Sequence, residues 1–357
     1  MSYQNYQSEP APAQTSKMAI WSVVLGVLAV VTAVVGIGLI FGVIGLVLGI
    51  MAMSAISKRP YELGGKGMAL AGTIVSGISL LLTPVCLLLV AILLPSLGRA
   101  RELSNRSYCA ANLRGLAQSM NVYAADQADM FPIVKPGAPG SYSFASAGNS
   151  GQTNQNTALE QYYAGSAGRG SVTAGWWILV LKNQVSPKQF LCKSDPVGSA
   201  APAPLTNASG QYQLDFASPN QFSYSSAYPW VGTSVGGWWK NITDASLPIM
   251  SDIAPKQGTG SPAADPSNPF AGRAANSVNH TRDGQNVVFS DCHAEFCRRP
   301  DVGQNMDNIW TQNGSSGPSE RGRTISGGSV GPGYGTPSSP YDVIMVPIRD
   351  ASTGITY

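Results

Sequence analysis

The sequence predicts a membrane-anchored α+β protein, with three N-terminal transmembrane helices, the third continuing as a long helix packed on an antiparallel β-sheet head. Three observations point there. About ninety N-terminal residues are dominated by three apolar stretches, and an amphipathic helical pattern follows directly on the last of them. Beyond it the chain reads as short β-compatible runs punctuated by Gly and Pro, the mark of an antiparallel sheet beside a helix.

Four segments follow in order. Residues 1–17 form a polar, Gln/Pro-rich tail expected to be disordered; it lacks the basic region and small-residue cleavage site of a secretory signal. Residues 18–84 are a glycine-rich transmembrane domain. From Met18 to Ile56 there is no charge in 39 residues, which as one helix would reach about 58 Å, nearly twice a ~30 Å hydrocarbon core. Gly36-Ile37-Gly38 is the natural turn, giving spans 18–35 and 39–56. Glycines 38, 42, 45 and 49 then recur on one side of the second span, where small residues let helices approach closely in lipid. The third span runs from Met68 to about Leu94, and Pro84 is expected to kink it.

Residues 85–131 form the long helix, with its membrane half at 85–96. Leu113, Leu116, Met120 and Tyr123 fall at i, i+3, i+7 and i+10, one face of a helix, and Pro132 ends it. Residues 132–357 are the β-rich head. Residues 135–175 are low in complexity and expected to be a loop insertion. The runs 176–181, 222–231, 247–252, 285–290, 293–297 and 341–348 are expected strands. A hairpin motif occupies 279–297. With Asp291-Cys292 as a two-residue turn, Ser290 faces His293, Phe289 faces Ala294, and Val287 faces Phe296, so that Val287, Phe289, Ala294 and Phe296 share one face. A type I′ turn needs positive φ at both central residues, so Cys292 is expected to sit in a strained or altered turn.

Composition excludes several functions. Charged residues are 11% of the chain, against roughly 25% in ordinary soluble proteins. After residue 96 there are 18 basic and 17 acidic side chains, so no basic field exists to hold nucleic acid. No Walker loop, dinucleotide fingerprint or Gly-x-Ser-x-Gly elbow appears, and the chain is not expected to be an enzyme.

Two resemblances add to this reading. The run from MAIWSVVLGVLAVV through SKRPYELGGKGMALAGTIVSGI, residues 18–80, is similar to a family of small bacterial membrane domains of unknown function, which implies no activity. LLPSLGRARE and CAANLRGLAQSMNVYAADQADMFP, within residues 85–132, resemble the first helix of type II secretion pseudopilins. The hairpin resembles the C-terminal motif of pseudopilin-like proteins in which a His precedes an Asp-Gly by nine or ten residues. Here the motif residues are His280, Asp291, Cys292 and His293, with Cys292 replacing the glycine. The resemblance spans roughly 85–348 and implies a pilin-like helix on the head. The Gly/Phe cleavage site and the following Glu of prepilins are missing from residues 77–94, so the chain is expected to keep all its spans.

The loop KRPYELGGKG puts its basic residues on the cytoplasmic side, while Arg99, Arg101, Arg106 and Arg114 vote the other way. The cysteines and the resemblance favour a head in the bacterial periplasm and a multi-pass chain in the inner membrane. Its expected partners are the membrane and proteins of a secretion or pilus-like assembly.

The candidate sites are few. His280, Asp291 and His293 are weak candidates for a metal, with a structural hydrogen-bond network favoured. Asp301, Asn305, Asp307 and Asn308 make an oxygen-rich loop whose spacing departs from a standard calcium loop. No cofactor is expected, with Ca²⁺ and Zn²⁺ left open. Cys109 and Cys192, in family-like positions, are a candidate disulfide closing about 80 residues. Trp176, Trp177, Trp238 and Trp239 are expected mainly as sheet core, one of each pair inside; exposed, they are a candidate ligand surface for envelope glycans, which defines the alternative function to a structural, assembly-forming one. A metal-dependent hydrolase is a weaker third.

Overall fold

The computed structural model describes residues 14–59, 62–134, 151–163, 172–198, 201–231, 234–235, 237–255, 276–304, 307–310, 342–346, 348–350 and 354–356. The chain divides into two compact units, Met1–Ala100 and Arg101–Tyr357.

The first unit is helical. Helix α1 (Lys17–Val31) ends in a 3-10 turn, Ala33–Val35, closed by Gly36 in the left-handed region at φ 82°, so the expected turn is where the glycines put it. Helix α2 (Gly38–Lys58) follows, then the 60-residue α3 (Lys66–Ala125), which runs through Pro84 and Pro95 as one helix. Two of these helices, α2 and α3, are long and apolar enough to cross a membrane. That corrects the expectation of three. The first apolar stretch leaves the α-helix at Thr32 for the 3-10 turn, so α1 has 15 residues, about 22 Å of helix against a ~30 Å core. The glycine stripe of α2 is buried, and it faces the hydroxyl residues of α3. A Cβ built on Gly45 would lie 2.5 Å from Ser76 Oγ, and one on Gly42 2.8 Å from Ser79 Oγ. Residues 1–13 of the expected tail lie outside the described residues. Gln14–Thr15 pair in parallel with Leu63–Gly64.

In the second unit, the last 25 residues of α3 present Cys109, Leu113, Leu116, Ala117, Met120, Tyr123 and Ala124 to the core, the face the spacing pointed to. The helix ends at Ala125, six residues before the expected end. Ala128 and Asp129 turn left-handed (φ 51° and 64°), and the Asp129 amide caps the Ala124 carbonyl at 3.0 Å.

The sheet has five antiparallel strands, β1 (Tyr224–Ala227), β2 (Pro248–Asp252), β3 (Gln285–Phe289), β4 (Ala294–Cys297) and β5 (Met345–Val346), in the order β5-β1-β2-β3-β4. Most of the expected strands are therefore present. WWILVL is not one of them, because it lies in a helix, α5 (Val172–Leu181), with every residue buried. A short run apolar at every position has no alternation to separate strand from helix, and burial on all sides suits either. Residues 155–163 of the expected loop insertion also form a helix, α4 (Gln155–Tyr163), whereas 135–150 and 164–171 lie outside the described residues.

The β3–β4 hairpin departs from its expected register. The Cys292 amide bonds the Phe289 carbonyl (2.9 Å) and the Phe289 amide bonds the His293 carbonyl (3.0 Å). Ser290 and Asp291 are thus the central turn residues, and Cys292 follows in the left-handed region at φ 67°, giving a three-residue loop with a bulge. The extra residue shifts the pairing by one, so that Val287 faces Glu295 and Asn286 faces Phe296. A shift of one exchanges the faces of a strand. Phe296 therefore sits with Asn286, not with Val287 and Phe289.

Cys292 is strained there, as expected, although Asn121 Nδ2 contacts its sulfur at 3.0 Å. Cys292→Gly should raise the unfolding midpoint of the full chain by an amount equal to about 0.5–1 kcal/mol. Relief of roughly 1–2 kcal/mol of left-handed strain exceeds the extra unfolded-state entropy of glycine. A lowered midpoint in a urea titration would show that the Asn121 contact outweighs the strain.

Candidate functional site

One group of chemically active side chains is assembled in the core of the second unit. Cys109 comes from α3. Cys192 follows a 3-10 turn, Pro187–Phe190, whose start is fixed by a capping box between Ser186 and Gln189. Asp252 ends β2, and His280 precedes β3. One ligand atom from each of the four lies within 4.8 Å of all the others, and all four residues are buried.

His280 is held in place by its backbone and by its neighbours. His280, Thr281 and Arg282 are consecutive non-glycine residues in the left-handed region, with φ of 55°, 57° and 60°. Each costs on the order of 1–2 kcal/mol, so the surrounding contacts must impose the turn. The imidazole Nδ1 lies 2.7 Å from Glu102 Oε1. Nε2 faces Asn286 Nδ2 at 3.1 Å, Asp252 Oδ2 at 3.3 Å and Cys192 Sγ at 3.7 Å. The ring meets Phe296 edge-on at 5.9 Å, and the Arg106 guanidinium covers the same phenyl ring at 4.3 Å. Arg106 also reaches Glu102 at 3.5 Å and Asp283 at 2.7 Å.

Asp252 has no exposed surface, but its carboxylate is well supplied with donors. Oδ2 accepts from the Asn286 amide (2.6 Å) and Nδ2 (3.0 Å), and Oδ1 accepts from Asn279 Nδ2 (3.4 Å).

The electrostatics follow from this packing. Burial works to lower His280, yet hydrogen bonds and charge from Asp252 and Cys109 lift it to about 10. The neighbouring Cys192 thiol draws Cys109 down to about 6 against the effect of burial, while burial pushes Cys192 well up. Burial raises Glu102, but hydrogen bonds from Ser194 and His280 and the charges of His280 and Arg106 hold it below the usual carboxylate range.

The structure sorts the sequence candidates differently from their expected grouping. His280 is in the cluster. Asp291 and His293 stand at the hairpin tip, with side chains 44% and 50% exposed, bonded to each other. The three do not converge. Cys109 and Cys192 do meet, and all five cysteines are free thiols. Cys297 is buried at the far end of β4, opposite Gln285.

In the oxygen-rich loop, Asp301 pairs with Arg299, Asp307 Oδ2 accepts from the Val343 amide, and Asn308 Oδ1 accepts from the Trp310 amide. Asn305 lies outside the described residues. Trp176, Trp177, Trp238 and Trp239 are all buried, as the core reading has it, and not on a candidate ligand surface. Trp176 stacks on Phe190 at 5.8 Å, Trp177 Nε1 donates to the Gln213 carbonyl, and Trp239 Nε1 donates to the Pro132 carbonyl.

Asp252 and Glu102 were missed as site residues. A signal for each was present: an acid closing the apolar run LPIMSD, and the single acid among the arginines of RARELSNR.

Fold and site together define a chain with an apolar helical unit and an α+β unit built around a buried Cys-Cys-Asp-His cluster. Residues 18–86 match the model of a family described as a domain of unknown function, DUF4190. No curated protein and no solved structure matches the chain.

Proposed function

We propose that the chain is a membrane-anchored, pseudopilin-like structural protein that acts in envelope assembly or secretion through protein–protein contacts, with its head outside the inner membrane. The observation that carries this reading is α3. One end of the helix exposes Leu81, Leu88, Ile92, Leu93, Leu94 and Leu97, with no charge from Gly67 to Gly98, and its other end supplies a core face to an antiparallel sheet. An apolar helix end left exposed among the described residues calls for lipid or a partner helix. At 60 residues it reaches about 90 Å, three times the hydrocarbon core, so a spanning half leaves a long extension for the head.

The test is topology and association in native membranes. The protein should remain in the membrane fraction after a carbonate wash. Protease added to spheroplasts should remove the C-terminal head, and crosslinking should capture oligomers or assembly partners. A head protected in spheroplasts, or a chain that crosslinks to nothing, would overturn the reading.

A further inference from the structure

We propose that Cys109, Cys192, Asp252 and His280 form a closed, tetrahedral zinc site that fastens α3, the Cys192 loop, β2 and the turn before β3 to one another.

All four ligand atoms lie within 4.8 Å of one another, and two of the spacings can be set against that ion. With bonds of roughly 2.3 Å to sulfur and 2.0–2.1 Å to nitrogen and oxygen, a tetrahedral zinc places its N and O ligands about 3.3 Å apart and its S and N ligands about 3.6 Å apart. His280 Nε2 and Asp252 Oδ2 are 3.3 Å apart, and Cys192 Sγ and His280 Nε2 are 3.7 Å apart. Two sulfurs, one imidazole nitrogen and one carboxylate oxygen are a soft-to-borderline set, which favours zinc over magnesium or calcium.

The surroundings supply what a metal-bound histidine needs. Glu102 accepts from Nδ1–H at 2.7 Å, which orients the ring and leaves the Nε2 lone pair facing Asp252 and Cys192, with Asn286 Nδ2 beside it at 3.1 Å. Lone pairs of two sulfurs, one nitrogen and one carboxylate oxygen then converge on one volume. A proton on Nε2 serves one or two of them, whereas a divalent cation serves all four.

Two thiolates and one carboxylate around Zn²⁺ leave one negative charge, and the Asn286 and Asn279 donors on Asp252 solvate it. Loading the ion releases the thiol protons, and any proton on Nε2, to solvent. All four ligands are buried protein side chains that fill a tetrahedral shell, so the site is of the structural kind. Cys192 also lines a cavity of about 500 Å³ bordered by Arg101, Tyr108 and Lys193, which gives the ion a way in.

The inference does not depend on the anchoring reading. The rival states of the same atoms are a Cys109–Cys192 disulfide, which would draw the sulfurs to about 2.05 Å and consume both ligands, and an imidazolium between two carboxylates with free thiols.

The experiment uses the full chain in detergent, purified without chelator. Elemental analysis should find about one zinc per chain, and Co²⁺ exchanged for it should give a thiolate charge-transfer band and the strong visible bands of a tetrahedral site. Cys109→Ser and Asp252→Asn should lose most of the metal, while Cys297→Ser, buried but outside the cluster, keeps it. Glu102→Gln should weaken zinc binding by roughly 10–100-fold in competition with a chromophoric chelator, a readout that stands even if the ligand variants fail to fold. Three results would each overturn the proposal: metal-free protein that takes up neither Zn²⁺ nor Co²⁺ with its thiols reduced, a Cys109–Cys192 disulfide in the protein as isolated, or full zinc occupancy in folded Cys109→Ser.

Discussion

His280→Ala should destabilise the second unit by about 3–5 kcal/mol, the range for removing one partner of a buried ion pair. Asp252 is fully buried and lies 3.3 Å from the imidazole. With the ring gone, the carboxylate keeps its amide donors but loses the cationic partner, whether imidazolium or metal-bound imidazole. Glu102 loses its 2.7 Å partner too, although Arg106 and Ser194 remain beside it. The left-handed turn at residues 280–282 then loses its chief anchor, and alanine at φ 55° keeps the strain without that compensation.

A domain of this size has only about 5–15 kcal/mol of stability in all, so the loss is a large share of the total. Urea titration followed by tryptophan emission is the measurement, since Trp176, Trp177, Trp230, Trp239 and Trp310 are all buried. His280→Gln restores an uncharged polar group of intermediate length and should recover only a minor part of the loss. A loss below about 1 kcal/mol for His280→Ala would mean that Asp252 is neutral or satisfied without the imidazole.

Local pattern and tertiary contact divide what could be read from the chain. The α3 core face was legible because Leu113, Leu116, Met120 and Tyr123 repeat at helical spacing beside polar residues. The glycine stripe of α2 was legible for the same reason, as were the strands of β1 to β4 from their turn punctuation. Val172–Leu181 was not, because an all-apolar run carries no period.

The hairpin was placed correctly and its register was not. Whether Cys292 occupies a two-residue turn or follows a longer one depends on a backbone angle that composition does not encode, and one residue of difference sent Phe296 to the face that carries His280. The cluster was half legible. His280, Cys109 and Cys192 stood out singly, as a motif histidine and a cysteine pair. Their meeting with Asp252 joins positions 109, 192, 252 and 280 through the packing of a helix on a sheet, which no local spacing reports. Of the two readings of the Trp pairs, core and ligand surface, burial favours the first. A Trp-Trp pair on a strand points to both faces, but Trp176 and Trp177 sit on a helix enclosed on all sides.

Trp177→Ala is expected to cost about 3–5 kcal/mol, the range for deleting a buried aromatic side chain. The indole has no exposed surface, meets the Phe216 ring at 4.9 Å with the planes inclined at 69°, and donates Nε1–H to the Gln213 carbonyl at 2.7 Å. Truncation opens a cavity between α5 and the chain around Phe216 and leaves that carbonyl without its indole donor. Trp177→Phe separates the two effects. It keeps most of the apolar volume and the edge-to-face contact, so its loss should be nearer the 1–3 kcal/mol of an unmet buried hydrogen bond. Denaturant unfolding followed by far-ultraviolet circular dichroism reads both variants without relying on the mutated fluorophore. A tryptophan that served a sugar on the surface would behave in the opposite way, changing stability by less than about 0.5 kcal/mol on truncation while abolishing retention on glycan beads. The size of the loss therefore decides between core and binding face, because only a side chain with no contact to solvent can account for several kcal/mol.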